Sequence, residues 1–238
     1  MSSAALVGTK GVPRAEREQQ IVGVAVDEFA ARGYAGASMV AIAARAGISK
    51  PLIYQYFGSK DGLYLACLHQ VAGALLDRLE LAELRVDDTV FSRVFALQAV
   101  FEALEPQRSA WQLLYDTTMP TTGAIAEAAR EYQTRTADLA ASGSERFLHA
   151  RGQHDPLDAA ALTTVWMGLV NSLVTWWLGH PEESADEMTQ RCIRLITAVT
   201  VDPADPRRTV DRPSSAATWS AQPAPPAARQ GDSPPRSG

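Results

Sequence analysis

Between Pro156 and Leu178 nearly every side of a helical turn is apolar: Leu162, Val165, Trp166, Leu169, Leu173, Trp176 and Trp177 leave little polar face. A helix of that kind has to be covered on two sides. One side is served by its own domain and the other needs a second surface. Asp155-Pro156 opens this helix with an N-cap and a proline at the first helical position, and Gly179 with Pro181 closes it. The same signals recur along the chain. Ile21, Ala25 and Phe29, with Val22 and Val26, repeat at helical spacing, and Gly33 stops that helix with Tyr34 over its end. Ser184 and Glu187 have the spacing of a capping box and open a last helix through about Thr200. Further helical stretches lie near 60–84, 87–103, 107–118 and 121–150, broken by Pro106, Pro120 and the 152–156 loop. No alternating segment longer than four residues suggests a strand. The chain reads as all-α, with about nine helices.

Several function classes are excluded by what is missing. The two cysteines, Cys67 and Cys192, stand far apart with no CxxC partner, against a disulfide scaffold or a cysteine-ligated zinc site. The four histidines are scattered, and no HExxH, P-loop, GxGxxG or GxSxG occurs. An enzyme, a metal and a cofactor are therefore not expected. No apolar run approaches the ~18–20 residues of a membrane span, and the N-terminus lacks a signal-peptide core. A soluble cytoplasmic protein without a membrane partner is the expectation.

The formal net charge is −5, which speaks against a uniformly basic nucleic-acid binder. Its distribution is more informative. Residues 1–66 carry seven basic and five acidic side chains and hold all three lysines, while the acidic excess lies in 67–201. A mildly basic head on an acidic body suggests an N-terminal module facing a polyanion. Eight of the 14 prolines fall after Asp202, where apolar periodicity ends and Trp219 is the one large hydrophobe. Such a segment buries too little apolar area to offset its ordering entropy. The expected organisation is a flexible arm (1–13), a head (14–59), a body (60–201) and a disordered proline-rich tail (202–238).

The head holds two short helices joined by a tight turn. Ser38 is an N-cap candidate, Ile42, Ala43 and Ala46 form an apolar face, and Gly47-Ile48 makes the turn. Ser49 caps a second helix, in which Pro51 is tolerated because first-turn amides need no helical partner. This is a helix-turn-helix pattern, whose second helix enters the major groove. The run Gly47–Leu63 (GISKPLIYQYFGSKDGL), with Phe29–Gly47 before it, resembles the DNA-binding signature of the TetR family of bacterial transcriptional regulators. The matching elements are Gly33-Tyr34, Ser38, Ile42-Ala43, Ala46-Gly47, Tyr54-x-Tyr56-Phe57 and Lys60, across residues 14–66.

That resemblance implies an N-terminal three-helix DNA-binding domain and a C-terminal helical domain for ligand binding and dimerisation. It sets Ser38, Ser49, Lys50, Pro51, Tyr54, Gln55, Tyr56 and Lys60 against DNA. Chemistry supplies their roles. Lys50 reaches guanine O6/N7, Pro51 packs on a thymine methyl, and Gln55 reads adenine or turns to the backbone. Tyr54 and Tyr56 resemble the family's backbone- and base-contacting positions. Lys60 and Ser38 sit at helix starts suited to phosphate. Arg14 and Arg17 are surface charges that could add phosphate contacts. Ile42, Ile53 and Phe57 belong to the core. Val40 and Ala41 depart from the polar residues many members carry on the first of the two helices, so base reading falls to the second.

The resemblance also implies a homodimer, a double-stranded operator and a small-molecule effector. Candidate pocket residues are Phe91, Phe95, Phe101, Trp111, Leu114, Tyr115, Met119, Tyr132, Trp166 and Met167; Trp111, Tyr115 and Trp166 are favoured as amphipathic. Asn171 pairs across the dimer or orients a ligand. The candidate dimer interface comprises Leu162, Leu169, Leu173, Trp177, Cys192 and Ile196, with one of Trp176 and Trp177 at the interface and its neighbour in the core. A repressor released from a palindromic operator by a largely apolar effector is the leading expectation. An activator of the same fold is a variant of it. A helical ligand-binding protein without DNA binding is the rival, and Ser38, Tyr54 and Lys60 argue against it.

Overall fold

The computed structural model describes residues 13–84 and 90–200, the side chains of 90–93 and 199–200 excepted. Expectations for residues 1–12, for Phe91 and for the tail lie outside the described residues. Among the described residues there are nine α-helices, one 3-10 turn and no strand. The helices are α1 (Arg14–Gly36), α2 (Met39–Arg45), α3 (Lys50–Phe57), α4 (Lys60–Glu83), α5 (Val90–Leu104), α6 (Ala110–Leu114), α7 (Ala124–His149), α8 (Pro156–Leu178) and α9 (Ala185–Thr200). The all-α reading holds.

α1 buries the stripe Ile21, Val22, Ala25, Val26 and Phe29. Gly33 breaks its path at φ 67° and ψ 170°, and one more turn carries the chain to Gly36. This combination of angles is open almost only to glycine. A Cβ would also meet Thr118 Oγ1 at 2.4 Å. α2 turns Met39, Ile42 and Ala43 inward, Gly47 takes φ 67°, and α3 buries Ile53 completely. α4 carries Leu63, Tyr64, Cys67, Leu68, Val71 and Leu75 into a continuous core. Full burial of one such large apolar side chain contributes about 1.5–3 kcal/mol. α4 packs on α1 near its start and on α5 and α7 farther along, α7 packs on α8, and α5 packs on α9.

Element boundaries shift where side chains intervene. The expected 107–118 helix is only Ala110–Leu114, preceded by a 3-10 turn at Glu105–Gln107 that contains Pro106. At its far end the Asp116 carboxylate takes the amide of Thr118 at 2.8 Å and turns the chain out of helix. α7 starts at Ala124, after Gly123 at φ 81°. Asp155 accepts the Leu157 amide at 2.8 Å, and Ser184 and Glu187 exchange backbone and side-chain bonds as a capping box. Those two helix starts are where the sequence puts them.

α8 corrects the statement that no run approaches membrane-span length. By length and mean hydropathy (1.4) it is long and apolar enough to cross a membrane, alone among the described residues. Its hydroxyl residues interrupt the run, yet the mean stays high because the rest of the helix is strongly apolar. Thr163, Thr164 and Ser172 each donate to the carbonyl four residues back, at 2.8, 3.0 and 2.9 Å. Within the chain only Ala159, Val170, Val174 and Trp177 of α8 are buried.

Candidate nucleic-acid interface and ligand cavity

α3 is held from one side only. Ile53 is its buried anchor, with Phe57 half-buried against the same core. Ser49, Lys50, Pro51, Tyr54 and Gln55 are exposed, and Tyr56 is half-buried. Positions 50, 51, 54 and 55 share one helical face. The Lys50 ammonium lies 5.7 Å from the centre of the Tyr54 ring, and Arg14 lies 5.1 Å from that of Tyr56. Ser49 makes no capping bond. Ser38 does cap: its Oγ accepts the Ala41 amide at 3.3 Å, and its own amide donates to Glu28 at 3.2 Å. Glu28 is buried and paired with Arg32 at 3.3 Å. Val40 stands 60% exposed on α2.

Two expectations are revised in the head. Arg17 is not a free surface charge: it lies in the first turn of α1, is buried, and donates to Gln20 at 3.0 Å. Lys60 is not a free-standing donor either. Its Nζ donates to the carbonyls of Ala37 (2.8 Å) and Ala35 (3.4 Å) and lies 4.9 Å from the Tyr34 ring centre. The first residue of α4 thus ties down the end of α1. Beside it the Tyr34 hydroxyl donates to Asp61 at 2.5 Å. That acceptor, which gains from the proton staying in place, pushes the phenol up to about 12.

Asp116 is a second tie, and nothing local in the sequence marks it. It is buried, and its Oδ2 accepts the Tyr34 amide (2.6 Å) and the Tyr64 hydroxyl (3.2 Å). Its Oδ1 accepts the Thr118 amide (2.8 Å) and hydroxyl (2.7 Å), and Thr118 Oγ1 accepts the Ala35 amide at 3.2 Å. One carboxylate therefore joins the end of α1, the start of α4 and the loop after α6. Burial, and then the Asp116 charge, raise the Tyr64 phenol far above its ordinary value. The donor stays protonated at any working pH.

Next to this tie lies a cavity of about 200 Å³ between α4, α5, α6, α7 and α8. Trp111, Leu114, Tyr115, Tyr132, Trp166 and Met167 line it, as the sequence suggests. Trp111 and Tyr115 contact each other with ring centres 4.8 Å apart. Three pocket assignments are corrected. Phe95 is 46% exposed, and its neighbour Ala96 takes the lining position. Met119 packs against the core rather than lining the cavity. Asn171 is exposed, outside the lining, and accepts the Trp111 indole N–H at 3.4 Å. Phe101 is core, packed edge-on to Trp177. The sequence reading missed the α4 wall (Leu68, Ala72, Leu75, Leu79) and the charged pair Glu83 and Arg146. The i, i+4, i+7, i+11 spacing of those four α4 residues is the signal that held them.

The sequence leaves open which α8 tryptophan faces outward, and Trp177, an interface candidate, is the inward one. Trp177 is wholly buried, donates to the Glu183 carbonyl at 2.8 Å and lies under the Arg108 guanidinium at 3.9 Å. It cannot touch a partner. Trp176 is 40% exposed and stacks on His180 with centres 3.7 Å apart. Cys192 is also corrected: it is buried, and burial pushes its thiol up to about 11. Leu169 is exposed, while Leu162, Leu173 and Ile196 are half-buried. Val165 at 67% and Leu195 at 52% extend the exposed apolar surface. No group of residues suited to a metal occurs among the described residues.

Comparison with known proteins adds to this geometry. Residues 21–67 match the family model described as bacterial regulatory proteins, tetR family. The HTH-type transcriptional activator FasR of Mycolicibacterium smegmatis is 35% identical over 115 residues, 48% of this chain and 52% of that protein. The chain spans about half the length of the curated relatives it matches. A TetR-like transcriptional regulator from Rhodococcus sp. RHA1 is 29% identical with a TM-score of 0.58, covering 79% of this chain and 99% of that one. The fold is shared with the regulator FadR of Bacillus subtilis in complex with stearoyl-CoA, at 16% identity and a TM-score of 0.59, over 75% and 96% of the two chains.

Proposed function

We propose that this chain, whose residues 21–67 match the tetR family model, is a cytoplasmic, ligand-responsive repressor of the TetR family that binds a palindromic operator as a dimer. Residues 14–59 are the reading head and 60–201 the effector-binding and dimerisation domain. Lys50, Pro51, Tyr54 and Tyr56 face bases and Ser38, Ser49, Gln55 and Lys60 face the backbone. A small, largely apolar effector enters the cavity and releases the DNA. The exposed apolar strip of α8 and α9, with Val165, Leu169, Trp176 and Leu195, takes a second copy.

The observation that carries this reading is that one helix serves both ends. α4 begins with Lys60, bonded to the end of α1, and lines the cavity from Leu68 to Glu83. Asp116 adds a second link, one residue beyond the cavity-lining Tyr115. A ligand that separates α4 from α6 and α7 pulls on both ties and changes how the head sits. By reciprocity, DNA and effector oppose each other's binding by the same factor.

Selection of genomic fragments with the purified full chain tests the first half, and a palindromic sequence is the expected product. Failure to enrich any sequence ends the DNA-binding reading. Asp116→Asn tests the second half by turning one acceptor oxygen into a donor facing N–H or O–H groups. The variant is expected to bind effector yet respond with less than half the wild-type change in operator affinity. An unchanged response removes Asp116 from the coupling. The name of the FasR relative favours a second reading, an activator of the same design. The operator's position relative to the promoter decides between them.

A further inference from the structure

The cavity has a direction and a chemically distinct end. Its α4 and α7 walls run the same way. His69 on α4 meets Tyr132 on α7 with ring centres 6.0 Å apart, and fourteen residues later on each helix Glu83 pairs with Arg146. At a rise of 1.5 Å per residue those two points are ~20 Å apart. Between them α4 offers Ala72, Leu75 and Leu79. α7 offers Leu139, Ala140 and Thr136, whose hydroxyl is turned to the Tyr132 carbonyl at 2.8 Å. Gln133 adds one neutral amide near the Tyr132 end, and the walls are otherwise mostly apolar and carry no charge before Glu83 and Arg146. At Glu83 and Arg146 the lining becomes charged and reaches solvent, with side chains 25% and 42% exposed. Glu80 and Arg135 form another α4–α7 ion pair, but neither lines the cavity. Gly143 lies under the Glu83–Arg146 pair: a Cβ there would stand 3.6 Å from Glu83 Oε1 and 3.9 Å from Arg146 Nη2.

We propose that this end is a head-group site. The cavity takes an extended apolar chain that ends in an anion, and Arg146 recognises that anion. Glu83 is a built-in competitor that occupies Arg146 until the ligand replaces it. A guanidinium fork matches carboxylate or phosphate oxygens in two parallel bonds. The incoming anion also repels Glu83, the last helical residue of α4, and so frees that end of α4 from α7. The head-group chemistry is common to a free long-chain carboxylic acid and to an acyl thioester on a phosphate-bearing carrier. This inference rests on the reading of the cavity as the effector site.

The test uses the full chain and the fluorescence of the cavity-lining Trp111 and Trp166, with operator binding followed in parallel. The probes are hexadecanoate, hexadecanoyl-CoA and uncharged hexadecanol. At least one anionic probe is expected to bind ~10-fold or more tighter than hexadecanol, as one charge-assisted pair warrants. Preference between hexadecanoate and hexadecanoyl-CoA identifies the source of the head group. Arg146→Gln weakens the anionic probe ~10-fold or more and so abolishes the preference, whereas Glu83→Gln tightens the anionic probe. Equal binding of all three probes to the wild type, or an equal loss of all three in Arg146→Gln, overturns the head-group site while leaving the effector cavity standing. If no probe binds or alters operator affinity, the effector reading fails along with it.

Discussion

α3 and α8 both leave most of their side chains outside the core, and they do so with opposite chemistry. α3 turns Lys50, Tyr54 and Gln55 outward around the buried Ile53. α8 turns Leu157, Val165, Leu169 and Trp176 outward, around Val174 and Trp177. Covering the α8 surface gains about 25 cal/mol for each Å² of apolar area. Covering α3 without polar partners would cost free energy. One exposed helix suits a charged, hydrogen-bonding surface and the other an apolar one. Exposure alone therefore does not tell what a helix meets; the side chains on the uncovered face do.

The sharpest way to break this contrast is Leu169→Glu. A charge buried without a partner costs about 3 kcal/mol or more, so the variant is expected to sediment as a monomer and to lose operator affinity ~100-fold. An unchanged oligomeric state would remove α8 from the interface. On the α3 side, Lys50→Ala is expected to cost about 1–3 kcal/mol on the operator and almost nothing on random DNA. Lys60→Ala should weaken both alike and flatten the salt dependence by about one charge. Since Lys60 also holds Ala35 and Ala37, its loss should lower Tm by about 2–4 °C for each kcal/mol, as a melt can show. The smallest effect concerns the start of α9. Hydrogen bonds from Ser184 hold the Glu187 carboxyl below its ordinary value of 4.5. A depressed acid stabilises the fold above that value, and this contribution disappears as pH falls through the lowered one. Glu187→Gln should therefore remove this contribution at neutral pH and flatten the acid limb of the stability profile, with the two proteins converging below the lowered value.

How much was legible in advance follows the distance between partners along the chain. The reading head depends on short spacings: Ser38 to Ala41, the glycine turn at 47, and Ile42 and Ile53 facing inward. The same holds for Asp155 and for the Ser184–Glu187 box. Asp116 and Tyr34 are 82 residues apart, and Glu83 and Arg146 are 63 apart, so no periodicity connects them. α8 failed for a different reason. A helix apolar nearly all round carries no phase, and only packing against Phe101 and Arg108 selects Trp177 over Trp176 for the interior. Phe95 and Ala96 differ in the same way: size favours the phenylalanine, but the helix turns the alanine to the cavity.

The tie at Tyr64 has a mechanical consequence. Bonded to Asp116, Tyr64 is a fulcrum for α4, four residues from Lys60 and nineteen from Glu83. A rigid helix pivoting there has arms of ~6 and ~28 Å at 1.5 Å per residue. A displacement at the Glu83 end reaches the head reduced about fivefold. The same displacement at Leu68, four residues beyond the fulcrum, arrives undiminished. As a lever, α4 favours forces applied close to its pivot. Under the proposed effector mechanism, the depth to which a ligand fills the cavity toward Leu68 and Tyr115 would govern how far the head moves, more than how firmly its outer end is held.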